Sequence, residues 1–120
     1  MNTTQDLDSG AQSLLQMPKK GVYAITPIDL SGPALVNAAR AALSGGAVML
    51  QYRAKPAVFA DALALKALCT QYRAPLIIND DVEIAKQLGC GVHLGETDAG
   101  VAQARQELGP DAIIGASCYD

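Results

Sequence analysis

The sequence has few aromatic residues and few charges for its length. Its 120 residues include no tryptophan; aromatic residues make up 4% of the chain and charged residues 18%. The formal net charge is -3 and no basic run is interleaved with aromatic residues, so nucleic-acid binding is not expected. No apolar run approaches the roughly 18 residues that a membrane-spanning helix needs, so we expect no membrane partner.

The start of the chain lacks the features of a secretory signal. Residues 1–20 carry acids where a signal peptide has basic residues, and they contain no continuous apolar segment. We expect them to be a polar N-terminal extension. The cysteines Cys69, Cys90 and Cys118 lie far apart and without metal-ligand spacing. This pattern predicts reduced, mostly buried thiols in a cytoplasmic protein.

After Pro18 the chain alternates short aliphatic runs with stretches rich in Ala and Leu. The expected strands are 21–26, 47–53, 75–80, 91–96 and 112–117, and the expected helices are 34–44, 58–72, 82–88 and 98–108. Pro33, two residues after Ser31, is a typical helix entry. The second helix is expected to bury a stripe made of Leu63, Leu65, Leu68 and Cys69.

This alternation predicts an α/β fold with a parallel sheet and right-handed crossovers. Two architectures fit the pattern, an open doubly wound sheet or part of a (β/α)₈ barrel. No GxGxxG or GxxxxGK[ST] motif follows any strand, which counts against a nucleotide-binding open sheet. In a barrel, the reactive side chains lie at the carboxyl ends of the strands.

Polar side chains gather at those predicted strand ends. They are Gln51, Arg53 and Lys55 after the second strand, Asn79, Asp80 and Asp81 after the third, His93, Glu96 and Asp98 at the fourth, and Ser117 after the fifth. Gln51, Arg53 and Lys55 would share one face for as long as the strand continues. Cations bind phosphate oxygens, and carboxylates hold Mg²⁺ against them, so the pattern predicts a magnesium–diphosphate site.

Each of these residues also has a simpler structural explanation. Arg53 and Lys55 can pair with neighbouring carboxylates, and the serine after the fifth strand can be ordinary packing. Asp81 and Asp98 can cap helices. His93 can be a hydrogen-bonded core residue. Their joint placement at four consecutive strand ends favours the functional interpretation.

Five segments together have the motifs of a known enzyme family. YAIT, LQYRAK, LIINDDVEIA, GVHLGETD and IIGASCYD, between about Gly21 and Asp120, resemble the thiamine-phosphate synthase family in order and spacing. The resemblance implies a TIM barrel, with residues 21–120 forming its N-terminal portion of about five strands and four helices. It also implies Mg²⁺-dependent coupling of hydroxymethylpyrimidine diphosphate with hydroxyethylthiazole phosphate, giving thiamine phosphate and pyrophosphate.

The resemblance further implies roles for single residues. The implied diphosphate ligands are Arg53, Lys55, Asn79 and Ser117, the implied Mg²⁺ ligands are Asp80 and Asp98, and the implied pyrimidine contacts are Gln51 and His93. No residue is expected to be a nucleophile, because the implied reaction is dissociative. Glu96 stands where the family commonly has Gln, and it can either tune the affinity for the metal or face solvent.

Length is the main departure from the family pattern, since a (β/α)₈ barrel needs ~200 residues or more. Five strands cannot close, and they would leave unpaired edges. We expect a truncated chain, with self-association into a homo-oligomer or an open sheet as alternatives. The alternative functions are a non-catalytic chain that binds a phosphorylated ligand and a thiazole tautomerase-like paralogue. The charged strand ends argue against the paralogue.

Overall fold

The structure is a computed structural model, and it describes residues 21–95 and 98–116, without the side chains of residues 98 and 99. Its strands are β1 (Val22–Ile25), β2 (Ala47–Tyr52), β3 (Leu76–Asn79), β4 (Gly91–Leu94) and β5 (Ile114–Ala116). Its helices are α1 (Gly32–Ser44), α2 (Phe59–Gln71), α3 (Val82–Leu88) and α4 (Asp98–Leu108). The predicted β/α alternation is confirmed.

The five strands form one parallel sheet whose spatial order follows the chain order. Each helix packs against the next one, and residues from all four helices belong to a single core cluster. The helices therefore cover the same face of the sheet. A doubly wound sheet would reverse its strand order and carry helices on both faces. The observed arrangement is that of consecutive units of a barrel.

The core lies between the helices and one face of the sheet. Its largest buried side chains include Leu35, Leu43, Leu50, Tyr52, Leu65, Ile78 and Val92. Met49 and Ile77, at the alternate strand positions, are buried outside this cluster. The opposite face of the sheet therefore begins apolar at Met49 and Ile77 and becomes polar two residues later, at Gln51 and Asn79.

Most element boundaries differ from the sequence-based ones by one or two residues, and two of these differences lie at the predicted site. β2 ends at Tyr52, because the N–H of Arg53 donates to the side-chain oxygen Oγ1 of Thr26 (3.0 Å) rather than continuing the ladder. Strand alternation consequently does not extend to Lys55. β4 likewise ends at Leu94.

Local sequence signals predicted the start of α1 and the buried face of α2 only in part. Pro33 lies in the first turn of α1 as predicted, but the side chain of the preceding Ser31 makes no capping hydrogen bond. Leu63 of α2 was expected in the core and is 49% exposed; Ala62 is buried instead. No helix among the described residues is long and apolar enough to cross a membrane.

Candidate functional site

The carboxyl ends of β1 to β4 form one edge of the sheet, which we call the strand-end rim. The rim carries Thr26, Gln51, Arg53, Asn79, Asp80 and His93. Asn79 lies directly opposite His93, and Gln51 opposite Ile77, two residues before Asn79. Side chains alternate along strands, so Gln51, Asn79 and His93 share the face that points away from the helices. The predicted convergence of these residues is therefore observed in the backbone register.

The end of β2 presents the two cations of the predicted site. Gln51 is half-buried, whereas Arg53 and the following Lys55 are exposed. Neither cation forms an ion pair within residues 21–95 and 100–116. The described residues therefore show no pairing of these cations with Asp80 or Asp81, while the third partner that the sequence allows, Asp98, has its side chain outside the described residues.

The two acids after β3 have different surroundings. Asp80 adopts a left-handed backbone conformation (φ 65°), which Asp tolerates better than most residues. Its N–H donates to the backbone oxygen of His93 (2.8 Å), and its exposed carboxylate accepts from Asn79 Nδ2 (3.2 Å). Asp81 Oδ1 instead accepts from the N–H of Ile84 (2.9 Å) and caps α3. Asp80 is therefore the available carboxylate, and Asp81 is the helix cap that the sequence suggested.

His93 of β4 depends on a glycine of the neighbouring strand. Its imidazole is half-buried, and a Cβ added to Gly115 of β5 would lie 2.9 Å from His93 Nδ1. Gly115 therefore leaves the space that the ring occupies. Gly115 was not among the residues predicted from the sequence, although a glycine inside an apolar strand often marks a close approach.

Thr26, at the end of β1, was also missed. Its side chain is buried, at 5% exposure. Besides accepting from Arg53, it donates its own N–H to the backbone oxygen of Gln51 (2.9 Å). The sequence signal was a polar residue ending the run YAIT.

Three further predicted site residues lie partly or wholly outside the residues that the structure describes. The backbone of Asp98 begins α4, but its side chain is outside the described residues, as are Glu96 and Ser117. Their predicted roles remain predictions.

The oxygen ligands at the rim fit a metal ion that is also coordinated by the phosphate oxygens of a bound substrate. Among the described residues, no group of three or more His, Cys, Asp or Glu side chains could hold a metal ion. Mg²⁺ needs only one or two carboxylates when phosphate oxygens and water complete its coordination. The exposed carboxylate of Asp80 matches that requirement.

A cavity of about 210 Å³ lies at the other end of the sheet, beside the first residues of β3 and β4. Its lining includes Cys69 and Cys90, two buried free thiols. Burial raises the pKa of Cys69 to about 12 and that of Cys90 to about 11. Both are therefore protonated near neutral pH, as expected of structural thiols. The polar convergence lies at the strand-end rim and not in this cavity.

Sequential parallel β/α units with polar side chains on the carboxyl rim define the class of (β/α)-barrel proteins. Residues 22–120 match the family model described as thiamine monophosphate synthase. The chain belongs to this family.

Known proteins with similar sequences bear related names. The chain is 49% identical over 111 residues to a thiamine-phosphate synthase of Methylococcus capsulatus, covering 88% of this chain and 50% of the relative. It is 50% identical over 108 residues to the corresponding protein of Methylobacillus flagellatus, covering 86% and 52%. The chain thus spans about half the length of the curated relatives it matches.

A solved structure shows the same fold. The thiamine phosphate pyrophosphorylase from Pyrococcus furiosus superposes with a TM-score of 0.70 at 31% identity, over 92% of this chain and 53% of that one. The barrel-type interpretation of the sequence is confirmed, and the open doubly wound alternative is excluded.

Proposed function

We propose that this chain provides the diphosphate- and metal-binding part of a thiamine-phosphate synthase. The reaction would couple hydroxymethylpyrimidine diphosphate with hydroxyethylthiazole phosphate and release thiamine phosphate and pyrophosphate. The proposal is supported by family membership and by the names of relatives that are 49% and 50% identical in sequence. The proposed location is the cytoplasm, which the free, buried Cys69 and Cys90 support.

The observation that carries the proposal is the composition of the strand-end rim. Exposed cations without ion pairs among the described residues follow β2, and an exposed carboxylate follows β3. Arg53 and Lys55 supply donors for phosphate oxygens, Arg53 through a planar fork and Lys55 as a point charge. If these residues had only a structural role, the cations Arg53 and Lys55 would be expected to form ion pairs with a carboxylate such as Asp80.

The remaining assignments follow the family pattern. Asn79 and Ser117 would complete the diphosphate contacts, Asp80 and Asp98 would hold Mg²⁺, and Gln51 and His93 would contact the pyrimidine. When bound, Mg²⁺ would neutralise negative charge on the diphosphate. The residues bind and orient the substrate, and Arg53 and Lys55 stabilise the charge that develops on the leaving group.

No protein nucleophile is required in this proposal. The C–O bond to the diphosphate would break first, with both electrons leaving on the diphosphate oxygen, and the thiazole nitrogen would then attack the exocyclic carbon of the pyrimidine. Donors that are fixed before the reaction stabilise such a leaving group without reorganisation. The N–H groups of Arg53 and Asp80 are held by hydrogen bonds to Thr26 Oγ1 and to the backbone oxygen of His93, and these bonds support the proposal that the rim is arranged before the reaction.

The relatives contain about as much sequence again outside the matched region. We propose that the thiazole phosphate site and barrel closure require that additional part, supplied by a longer chain or through association.

A coupling assay tests the proposal in two arms. The 120-residue chain is incubated with both substrates, with and without Mg²⁺, alone and with the unmatched part of the Methylococcus capsulatus relative. We expect Mg²⁺-dependent thiamine phosphate in at least one arm. Arg53→Ala should lower the rate about 10²–10³-fold, as removal of one such donor typically does. The matched control is Arg40→Ala, an exposed arginine on α1, which should leave the rate unchanged.

The intact relative, assayed in parallel, shows whether the assay works. Absence of product in both arms beside an active relative would contradict the proposal. Mg²⁺-dependent pyrophosphate binding without product would instead favour the non-catalytic alternative.

A further inference from the structure

The loop that carries the two cations is attached at both of its ends by side-chain hydrogen bonds. We call residues 53–57 the cation loop. At its start, Thr26 Oγ1 accepts from the N–H of Arg53 (3.0 Å). Just after its end, Tyr52 Oη accepts from the N–H of Val58 (3.1 Å). Two side chains from outside the loop therefore define where it leaves β2 and where it enters α2.

Thr26 directly follows β1 and is buried, whereas no residue of the strand itself is buried. Val22 and Ile25 of β1 are 68% and 56% exposed, whereas Thr26 is 5% exposed. A buried hydroxyl needs a hydrogen-bond partner, and this one has the backbone of Arg53. Because the N–H of Thr26 also binds the backbone oxygen of Gln51, Thr26 holds the chain on both sides of Tyr52.

Tyr52 reaches the other end of the loop from inside the core. It is 1% exposed, and its ring lies in the helix-packed cluster. Burial raises the pKa of its hydroxyl above the ordinary value of 10.0, so the phenol stays neutral at physiological pH. Its hydrogen bond ties the N–H of Val58 to a side chain of the close-packed core.

Repulsion between its two cations would tend to spread the cation loop if its ends were not attached. Arg53 and Lys55 are exposed like charges two residues apart, and like charges repel. We propose that Thr26 and Tyr52 are positioning residues that hold the cation loop in the conformation that binds the diphosphate. This inference rests on the proposed function. Holding the loop before binding lowers the ordering cost that the ligand must offset.

The test uses conservative variants with matched controls. Thr26→Val removes the acceptor at nearly constant volume, Thr26→Ser retains it, and Tyr52→Phe removes only the hydroxyl. The control Thr70→Val removes a hydroxyl that donates to Lys66 O (2.9 Å) in α2. The control Tyr72→Phe removes a hydroxyl that shares a hydrogen bond with Ser44 Oγ (2.9 Å).

Two readouts are measured on the 120-residue chain. Amide hydrogen exchange at Arg53 and Val58 reports the two bonds themselves, and calorimetric titration with pyrophosphate, with and without Mg²⁺, reports the site. We expect Thr26→Val to accelerate exchange at Arg53 and Tyr52→Phe to accelerate it at Val58. Each should also weaken pyrophosphate binding about three- to tenfold, the order expected of one neutral hydrogen bond. Thr26→Ser and both controls should bind like the wild type.

The outcomes separate this inference from the proposed function. If the wild type binds pyrophosphate and both Thr26→Val and Tyr52→Phe bind it equally well, the hydrogen bonds are merely structural and the inference is overturned. Failure of the wild type to bind pyrophosphate would overturn the proposed function together with the inference. Circular dichroism checks folding, and Tyr52→Phe decides alone if Thr26→Val does not fold.

Discussion

At the scale of single residues, adjacent side chains of one type take on different tasks because the backbone turns between them. Asp80 stands in the left-handed region with an exposed carboxylate, while Asp81 uses its carboxylate to cap α3. The sequence suggested the cap, because an Asx residue before a helix is a common arrangement. It could not show the positive φ of Asp80, or that the N–H of this residue donates to the carbonyl of His93 in the neighbouring strand.

Gly115 offers a residue-scale prediction. A methyl group there would lie 2.9 Å from His93 Nδ1, so Gly115→Ala should displace the imidazole and lower stability by about 1–3 kcal/mol, as overpacking does. The chain has one histidine, so its NMR signal identifies itself. We expect a shifted His93 signal and weaker binding of hydroxymethylpyrimidine diphosphate.

Gly95→Ala is the matched control, since an added Cβ there meets no atom within 4 Å. It should leave both the His93 signal and the affinity unchanged. An unshifted His93 signal in Gly115→Ala would refute the assigned packing.

At the scale of elements, the existence and order of strands and helices followed from the alternation of aliphatic and Ala/Leu-rich runs. Their ends did not, because tertiary hydrogen bonds set them. β2 stops where Thr26 captures the N–H of Arg53, and the partner is 27 residues away in sequence. The buried stripe of α2 was right at Leu65 and wrong at Leu63, because helix orientation is decided by packing against the sheet.

The two thiols in the core between α2 and β4 predict a pH dependence of stability. Their folded pKa values, about 12 for Cys69 and about 11 for Cys90, lie above the ordinary value of 9.0. The unfolded chain therefore loses these protons first. Their contribution to the free energy of unfolding is complete below pH 9.0 and is lost as the pH rises from there through about 11 to 12.

Denaturant unfolding between pH 8 and pH 10.5, in a Cys118→Ser background, measures this effect. We expect a steeper loss of stability with pH for the parent than for Cys90→Ala, which lacks one of the titrating groups. Equal slopes for the two proteins would contradict the assigned burial of this thiol.

At the scale of the whole molecule, β1 exposes apolar surface that a closed barrel would cover. Within the described sheet it pairs only with β2, and Val22 and Ile25 are 68% and 56% exposed. An edge strand with exposed apolar side chains favours association. We therefore propose that these 120 residues, studied on their own, self-associate through β1.

Sedimentation velocity over a range of concentrations tests this proposal. The double variant Val22→Thr/Ile25→Thr should shift the distribution towards the monomer, because it removes apolar surface and keeps β-branched side chains. Leu63→Thr, at a similarly exposed position on α2, should leave the distribution unchanged. A monomeric wild type at all concentrations would contradict this proposal.

Binding of a diphosphate through Mg²⁺ at the strand-end rim is the feature on which the proposed function depends most. Calorimetric titration of the chain with pyrophosphate, with and without Mg²⁺, tests it most directly. Asp80→Asn removes the charge yet keeps a residue type that tolerates positive φ. Asp81→Ala is the adjacent control, because it removes a carboxylate that caps α3. It should lower stability by about 1 kcal/mol through loss of the cap.

We predict Mg²⁺-dependent binding by the wild type, retained in Asp81→Ala and lost or strongly weakened in Asp80→Asn. Binding that ignores Mg²⁺, or that survives unchanged in Asp80→Asn, would contradict this prediction.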